Sequence, residues 1–388
     1  MKRTLFIMTA LFGLLFSSFS ALAYDCKVDG IYYNLNKTDK TASVVSNYYG
    51  VYSGNIIIPE TITYNNTTYS VTSIGDRAFD QCSGLTSVTI PNSVTTIGEE
   101  VFGNCSRLNS VIVDKNNGTY DSRDNCNAII KTSTNKLIVG CKNTTIPNSV
   151  TSIGDRAFYG CSELTSVTIP NSVTSIGESA FYGCSGLTSA IIGNSVKSIG
   201  ESAFDSCSGL TSVTIGNSVT SIGQKAFCGC SGLTSVTIPN AVISIGYGAF
   251  SDCSGLTSVT IGNSVTSIGE IAFYGCSGLT KLVSLAIEPP VCGYQVFEGV
   301  DKTACRLLVP EESINKYKTA DKWEEFLYIS YNGVDDVSVD TQDAVYEVYN
   351  LQGVRVGSGM REAEITADAL PHGIYILVSP QGRKKLKI

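Results

Sequence analysis

Eight cysteines recur at a fixed spacing, and their thiols are the most chemically reactive groups that the repeat pattern contains. Successive members are 23 residues apart, except for one step of 56 residues. They are Cys82, Cys105, Cys161, Cys184, Cys207, Cys230, Cys253 and Cys276. Side chains at one repeat position point the same way, so neighbouring thiols are poorly oriented for disulfide bonding. We therefore interpret the row as buried thiols that pack as small apolar groups.

The other cysteines lie outside this register. They are Cys26, Cys126, Cys141, Cys228, Cys292 and Cys305. Cys126 with Cys141, and Cys292 with Cys305, could each close a hairpin as a disulfide, and the sequence leaves both pairings open. A zinc site is not expected, because the chain has a single histidine, His372, and no Cys-x-x-Cys motif.

Carboxylates are the second candidate for chemistry, but their positions favour a structural role. Most occupy one repeat position directly after a glycine, namely Asp76, Asp155, Glu178, Glu201 and Glu270. A negative charge there suits the start of a helical turn. Adjacent acids such as Glu99 and Glu100 do not face each other on a helix. No nucleophile motif or phosphate-binding loop is present, so we predict no enzyme, no cofactor and no metal site.

Hydroxyl side chains are the third candidate, as a broad binding surface. We predict ligand contacts at outward strand positions, which are Ser87, Thr89, Ser166, Thr168, Ser212, Thr214, Ser235, Thr237, Ser258 and Thr260. The alternative is a plain soluble strand surface with good β propensity. A second choice of contact site lies on the predicted helical side, at Tyr159, Tyr182 and Tyr274, because tyrosine is enriched in interfaces.

A repeat of 23 residues must position all of these rows. Residues 71–94 read VTSIGDRAFDQCSGLTSVTIPNSV, and residues 150–173 repeat them almost unchanged. The L-x-x-V-x-I segment predicts a strand with one buried face. The A-F-x-x-C segment predicts one turn of helix that faces inward. Eight clear units and a degenerate ninth at Phe297 predict a strand-rich α/β solenoid, in which stacked units share one core.

The pattern L-x-x-V-x-I-P-x-x-V-x-x-I-G-x-x-A-F-x-x-C resembles the leucine-rich repeat of the BspA-like bacterial surface proteins, over about residues 71–330. The resemblance implies an arc-shaped solenoid and a non-catalytic adhesin that docks host matrix proteins or other cells. Two alternatives stay open, namely a protein that binds surface polysaccharide and a structural spacer with no ligand.

Composition and the N-terminus indicate export. Lys2 and Arg3, an apolar run and Ala21-Leu22-Ala23 are typical of a cleaved signal peptide over residues 1–23. The net charge of −7 leaves no basic footprint for nucleic acid. We therefore expect a secreted protein, extracellular or on the cell surface, whose partners are proteins or polysaccharides of host or neighbouring cells.

The repeats also set the domain boundaries. After the signal peptide, we predict an N-terminal β cap (24–70) and the solenoid (71–329), which includes a 33-residue hairpin insertion near 114–146 and a C-terminal cap near 285–329. An acidic linker (330–344) and a small β-sandwich-like domain (345–388) follow.

The last domain carries a second resemblance. The sequence V-Y-N-L-Q-G…L-P-x-G-I-Y-I-L…G-x-x-K-L-K-I resembles the C-terminal sorting domain of the type IX secretion pathway. That resemblance implies outer-membrane export, with the export machinery as a partner. Cleavage of the tail, the type of anchor and the oligomeric state are left open.

Overall fold

Each repeat forms one coil of a strand-rich solenoid, as the sequence predicts. The computed structural model describes residues 24–46, 50–331, 345–350, 355–361, 374–379 and 382–387. The expected signal peptide, most of the linker 330–344 and His372 lie outside the described residues. In the described part, a coil has three sides, which are a long strand, a short strand and a series of turns.

The long strands form parallel ladders in which equivalent residues of successive repeats face each other. Ser166 pairs with Ser189, and Ser189 pairs with Ser212. Pairing at equal repeat positions keeps one face apolar and buried throughout. The long strands are Ser53–Ile57, Gly84–Ile90, Ser110–Val113, Ser166–Ile169, Ser189–Ile192, Ser212–Thr214, Ser235–Thr237, Ser258–Ile261, Lys281–Ser284, Arg306–Val309 and Tyr328–Tyr331.

The short strands pair in parallel on the return side of the coil, where Thr96–Ile97 pairs with Thr67–Ile74 and the strands from Ser152–Ile153 onward form one continuous ladder. Each contains a Ser or Thr and an Ile, until the last one, which is Val291–Cys292. The others are Thr96–Ile97, Ser152–Ile153, Ser175–Ile176, Ser198–Ile199, Ser221–Ile222, Ser244–Ile245 and Ser267–Ile268.

The third side corrects the sequence prediction, because it consists of turns and not of a helical turn. The hydrogen bonds within it join residues three apart, such as Cys207 N–H to Phe204 O. Two positions per coil have a left-handed backbone, for example Ser202 (φ 50°) and Ser206 (φ 61°). A residue with positive φ interrupts an α-helix, so the A-F-x-x-C pattern marks inward-facing turn residues.

The core follows the solenoid axis and contains one row of stacked phenylalanine rings. The ring centroids of Phe181 and Phe204 are 4.8 Å apart, and the planes differ by 5°. This spacing is close to the distance of roughly 4.8 Å between neighbouring strands. Phe297 ends the row, where Trp323 and Phe326 pack against it edge-on.

The hairpin insertion divides this core in two. Its strands Ile129–Lys131 and Lys136–Val139 pair antiparallel, and the second pairs parallel with Ser152–Ile153. Ile129 and Val139 belong to the buried cluster before the insertion, which we call the N-terminal core. Ile130 and Leu137 belong to the cluster after it, the C-terminal core. The hairpin is thus a buried partition, which disfavours a binding protrusion.

Elements at both ends close the solenoid. Before the first full repeat, Thr41–Val45 joins the antiparallel strands to Thr67–Ile74, with parallel pairing. The antiparallel strands of this N-terminal region include Cys26–Val28, Ile31–Asn36 and Thr61–Tyr64. Four short elements lie in the insertion and the C-terminal cap, namely the strand Tyr120–Asp121, the 3₁₀-helices Arg123–Asn125 and Glu311–Ser313, and the α-helix Ile314–Tyr317.

The C-terminal region contains a separate antiparallel sheet. Its strands are Val345–Asn350, Arg355–Arg361, Ile374–Ser379 and Gly382–Lys387. The first pairs with both the second and the third, and the third pairs with the fourth. A second layer, as in a sandwich, stays a prediction.

The thiols of the cysteine row donate hydrogen bonds between coils. The Sγ of Cys207 lies 3.1 Å from Phe181 O, one coil earlier. Five further thiols make the same contact at 3.0 to 3.2 Å, namely those of Cys105, Cys184, Cys230, Cys253 and Cys276. Each thiol therefore adds a weak donor for a buried carbonyl to its apolar packing.

Neither of the two open disulfide pairings is formed. All fourteen cysteines of the chain are free thiols in the structure. Cys126 lies in the C-terminal core and Cys141 in the N-terminal core, so the hairpin separates them. Cys292 lies in a short strand, whereas Cys305 immediately precedes a long strand on another side of the coil.

Burial of these thiols predicts that the protein loses stability at alkaline pH. Burial raises the pKa of Cys161 and Cys276 to about 12, and of Cys126 and Cys305 to about 11, from 9.0. Above pH 9 the unfolded chain releases protons that the folded chain retains. The free energy of unfolding therefore falls as pH rises, by at most ~1.4 kcal/mol per pH unit for each thiol.

Urea unfolding between about pH 8 and about pH 10.5 measures this slope. Replacing Cys276→Ala should make the slope shallower by about one thiol's contribution. A matched control, Val219→Ala, creates a buried cavity without a titrating group and should leave the slope unchanged. An unfolding free energy of the unmodified protein that is constant over this range would contradict the prediction.

Candidate functional site

The predicted contact residues lie on the outer face of the long strands, which we call the hydroxyl face. Ladder pairing brings Ser166 and Thr168 into register with Ser212 and Thr214 through the intervening strand. It likewise aligns Ser235 and Thr237 with Ser258 and Thr260. Ser87 and Thr89 lie in a separate ladder before the hairpin. The structure therefore brings eight of the ten residues together and sets two apart.

The hydroxyl face and the threonine row beside it differ in the hydrogen bonds of their side chains. In that neighbouring row, Thr188 Oγ1 donates to Thr165 O at 2.9 Å and Thr211 Oγ1 donates to Thr188 O at 3.0 Å. Among the described residues, the hydroxyl-face Ser and Thr from 166 to 260 have no hydrogen-bond partner for their side chains. Their hydroxyls are therefore available to a partner molecule.

The face also contains groups that the repeat consensus does not supply. Ile191 takes a threonine position and is 49% exposed. The serine row continues beyond Ser258 through Lys281 and Arg306 to Tyr328. Sequence reasoning missed Arg306 and Tyr328 because they lie beyond the clear repeats, although the apolar pattern R-L-L-V predicts a strand there.

The second-choice tyrosines are brought together only in part. Tyr159 and Tyr182 stack with their centroids 4.9 Å apart and their planes within 6°. Tyr274 lies four coils after Tyr182 and makes no contact with the pair. A Cβ on Gly103 would be 3.6 Å from Tyr159 Cδ1, so the backbone of the preceding coil lies close to this ring. The stacking covers one face of each ring.

The tyrosine pair borders a cavity at the joint, which is the junction of the coils that contain Phe102 and Phe158. The cavity has a volume of about 250 Å³ and is lined by both coils and by the hairpin. The phenylalanine row is interrupted here, because Gly140 occupies the space beside Phe158. A Cβ on Gly140 would be 2.1 Å from Phe158 Cε1, so this position needs glycine.

A network of ion pairs connects the two sides of the joint. Arg156 Nε lies 2.9 Å from Glu100 Oε1, and Arg156 Nη2 lies 3.2 Å from Glu178 Oε1. Arg77 Nε lies 2.6 Å from Glu100 Oε2. Glu100 is thus held between two guanidinium groups, and its side chain is 13% exposed. The network joins the two coils by ion pairs, and in it the charged side chains that line the cavity pair with one another.

The arrangement of ionisable groups does not resemble a catalytic or metal centre. The described residues contain no group of three His, Cys, Asp or Glu side chains that could hold a metal ion. Burial raises the pKa of Asp205, whose carboxylate accepts hydrogen bonds from Ser206 at 2.8 Å and Ser202 at 3.4 Å. Both hydroxyls donate to this one carboxylate, so the three groups form a local polar cluster in the turns.

Comparison with known proteins agrees with the repeat geometry. The family model "BspA type Leucine rich repeat region" matches residues 59–138, 129–254 and 203–302, with six copies. These ranges together span more than half of the chain. The chain belongs to the BspA-type leucine-rich-repeat family. A search among curated proteins gave no significant match.

Solved structures similar to this chain include two leucine-rich-repeat proteins. A leucine-rich cell surface protein from Faecalibacterium prausnitzii A2-165 is 27% identical, covers 74% of this chain and 80% of its own, and has a TM-score of 0.42. A leucine-rich-repeat protein from Bacteroides ovatus ATCC 8483 is 25% identical, covers 75% and 81%, and has a TM-score of 0.44. With TM-scores below 0.5, these likenesses add nothing to the family assignment.

Glu100 is expected to stabilise the joint of this BspA-type solenoid. Replacing Glu100→Gln removes the carboxylate between Arg77 and Arg156 and should lower the free energy of unfolding by about 1–3 kcal/mol. The matched control is Glu99→Gln, because Glu99 is 83% exposed and lies 3.5 Å from Arg156. An exposed pair of this kind contributes about 0–1 kcal/mol. Urea unfolding of both variants measures the difference, and equal losses would contradict the role of Glu100.

Proposed function

We propose that this protein is a secreted, surface-displayed, non-catalytic binding protein that docks another protein through the hydroxyl face. The observation that carries the proposal is the unused hydrogen-bonding capacity of that face. Its neighbour, the row from Thr188 to Thr280, donates its hydroxyls to backbone carbonyls of the preceding coil. The hydroxyl face keeps its own donors and acceptors for a partner over several adjacent coils.

The shape of the face favours an extended partner over a small molecule. Ser and Thr side chains are short, and adjacent strands are roughly 4.8 Å apart, so the face offers a flat array without a pocket. The exposed Ile191 adds an apolar contact beside the hydroxyls. Interfaces combine polar and apolar area in this way. Lys281 and Arg306 give the C-terminal end of the serine row a basic character.

Display outside the cell is supported by sequence and family together. Residues 1–23 have the pattern of a signal peptide, and the repeats are of the BspA type. The described part of the chain contains no helix with the length and apolar character needed to cross a bilayer. The C-terminal resemblance to a sorting domain would provide the route through the outer membrane.

Polysaccharide binding remains the alternative, and the tyrosine pair is its specific basis. Sugars stack on exposed aromatic faces, and the stacking of Tyr159 on Tyr182 covers one face of each ring. The pair therefore offers a glycan less aromatic surface than two separate rings would, beside the cavity that Tyr159 lines. The row of unpartnered hydroxyls is the larger contact surface, so protein binding stays the first hypothesis.

Charge substitutions on the hydroxyl face test the proposal. We expect Thr168→Lys, Thr214→Lys and Thr237→Lys together to weaken binding to a protein partner by at least about tenfold, because three ammonium groups must be desolvated in the contact. Binding of the purified full chain to a panel of matrix proteins, mucins and polysaccharides would be measured by biolayer interferometry, at low and physiological salt.

The chain offers a matched control on its return side. Thr174→Lys, Thr220→Lys and Thr266→Lys change the same residue type at exposed positions beside the short strands. This control should bind like the unmodified protein, and circular dichroism should show that both triple variants are folded. Equal losses in both variants would contradict docking at the hydroxyl face. Binding to glycans alone, lost in Tyr159→Ala, would favour the polysaccharide alternative.

A further inference from the structure

On the turn side, the segment before each cysteine of the row, such as residues 178–183, has backbone hydrogen bonds between coils that run forward. Phe181 N–H, for example, donates to Ala203 O of the next coil at 2.7 Å. The turn after the cysteine runs the other way, as Gly209 N–H donates to Ser185 O of the preceding coil at 3.1 Å. Three such bonds join each regular pair of coils, as at Ser179 to Glu201, Phe181 to Ala203 and Gly183 to Asp205. The N–H groups therefore point toward the C-terminal end of the solenoid, and the C=O groups point toward the N-terminal end.

This forward pattern leaves a row of donors on the last regular coil. Ile271, Phe273 and Gly275 donate to Tyr294, Val296 and Glu298. The next donors in register are Gln295 N–H, Phe297 N–H and Gly299 N–H, for which the described residues provide no acceptor.

A buried N–H without an acceptor is costly, so such groups are normally satisfied by protein, water or a ligand. Phe297 is 2% exposed, so its N–H is one that needs a partner.

The three donors point to the same side of the coil. Gln295 has φ 52° and Gly299 has φ 86°, the left-handed positions that recur in the regular coils. In the preceding coil the equivalent N–H groups run side by side to three separate acceptors, so the three donors form a row that faces the C-terminal end of the solenoid.

A cavity of about 240 Å³ lies on that side. It is lined by residues 294–298, Lys302, Lys322 and Glu325, so two lysines and two carboxylates face it. The Nζ of Lys302 is 2.7 Å from Glu325 Oε2, and the Nζ of Lys322 is 3.2 Å from Asp321 Oδ1 and 4.0 Å from Glu325 Oε1. Both ammonium groups are thus held at the cavity by carboxylates.

We propose that this cavity binds a small oxyanion, namely a phosphate or sulfate group. The three N–H groups donate to its oxygens, and the two ammonium groups of Lys302 and Lys322 supply charge. The joint has a similar break, because Gly140 N–H takes Ala157 O, the acceptor that would match Phe102. There, however, the carboxylates of Glu99, Glu100 and Asp155 outnumber the cationic groups of Lys136 and Arg156 in the lining, whereas the lining at Lys302 and Lys322 has as many ammonium groups as carboxylates.

Amide chemical shifts of the full chain test the site directly. Inorganic phosphate and sulfate are added to the deuterated, ¹⁵N-labelled protein at constant ionic strength, with chloride as the reference salt. We expect saturable shifts of the Gln295, Phe297 and Gly299 amides, and none of the Phe227 and Phe250 amides, which donate within the ladder. A saturable shift with glucose 6-sulfate but not glucose would identify an ester group as the ligand source.

Substitution of the lysines gives the second measurement. Lys302→Gln with Lys322→Gln should weaken phosphate binding by about tenfold or more. The control is Lys225→Gln, because Lys225 lies on the turn side in mid-solenoid, where the N–H groups have acceptors. This variant should bind phosphate with the affinity of the unmodified protein. The proposal is wrong if the three amides do not shift saturably, if chloride shifts them equally, or if all turn-side amides shift together.

Discussion

Backbone hydrogen bonding between successive coils is the constraint on which the rest of the structure depends. Pairing at equal repeat positions holds the coils at strand spacing, so each side chain meets its own counterpart. Phenylalanine stacks on phenylalanine, thiols reach the carbonyl one coil earlier, and serines form continuous rows. A single unit cannot bury its apolar face, so stability depends on these contacts between neighbours.

The same dependence explains what happens where the register is interrupted. The hairpin inserts one enlarged coil, and Gly140 takes the space that a phenylalanine ring fills elsewhere. Alternate residues of the hairpin then face the two cores. One cavity lies at the joint, where the forward row of turn hydrogen bonds loses the bond of Phe102 but keeps that of Asn104 N–H to Tyr159 O, and the other lies at the last regular coil, where the row ends. Irregularity, and not the repeat itself, thus provides the concave sites.

Much of this architecture could be predicted from the sequence, because periodicity reports directly on stacking. The spacing of Phe and Cys predicted the buried rows, and the spacing of Tyr159 and Tyr182 predicted their stacking. The turn conformation was predicted wrongly, since an inward A-F-x-x-C pattern suits a helix and a series of turns equally well. The direction of the turn hydrogen bonds and the separation of Cys126 from Cys141 depend on backbone geometry, for which the residue types give no signal.

Amide hydrogen exchange of the phenylalanine row tests the central claim most directly, because all of these residues are buried and differ in their acceptors. Phe181, Phe204 and Phe227 donate to the next coil, whereas Phe102 and Phe297 have no acceptor in the described residues. In phosphate-free buffer, the account predicts that Phe102 and Phe297 exchange at least about tenfold faster than the other three. Equal protection of all five amides would contradict a forward row of hydrogen bonds that loses the bond of Phe102 at the joint and ends at the last regular coil.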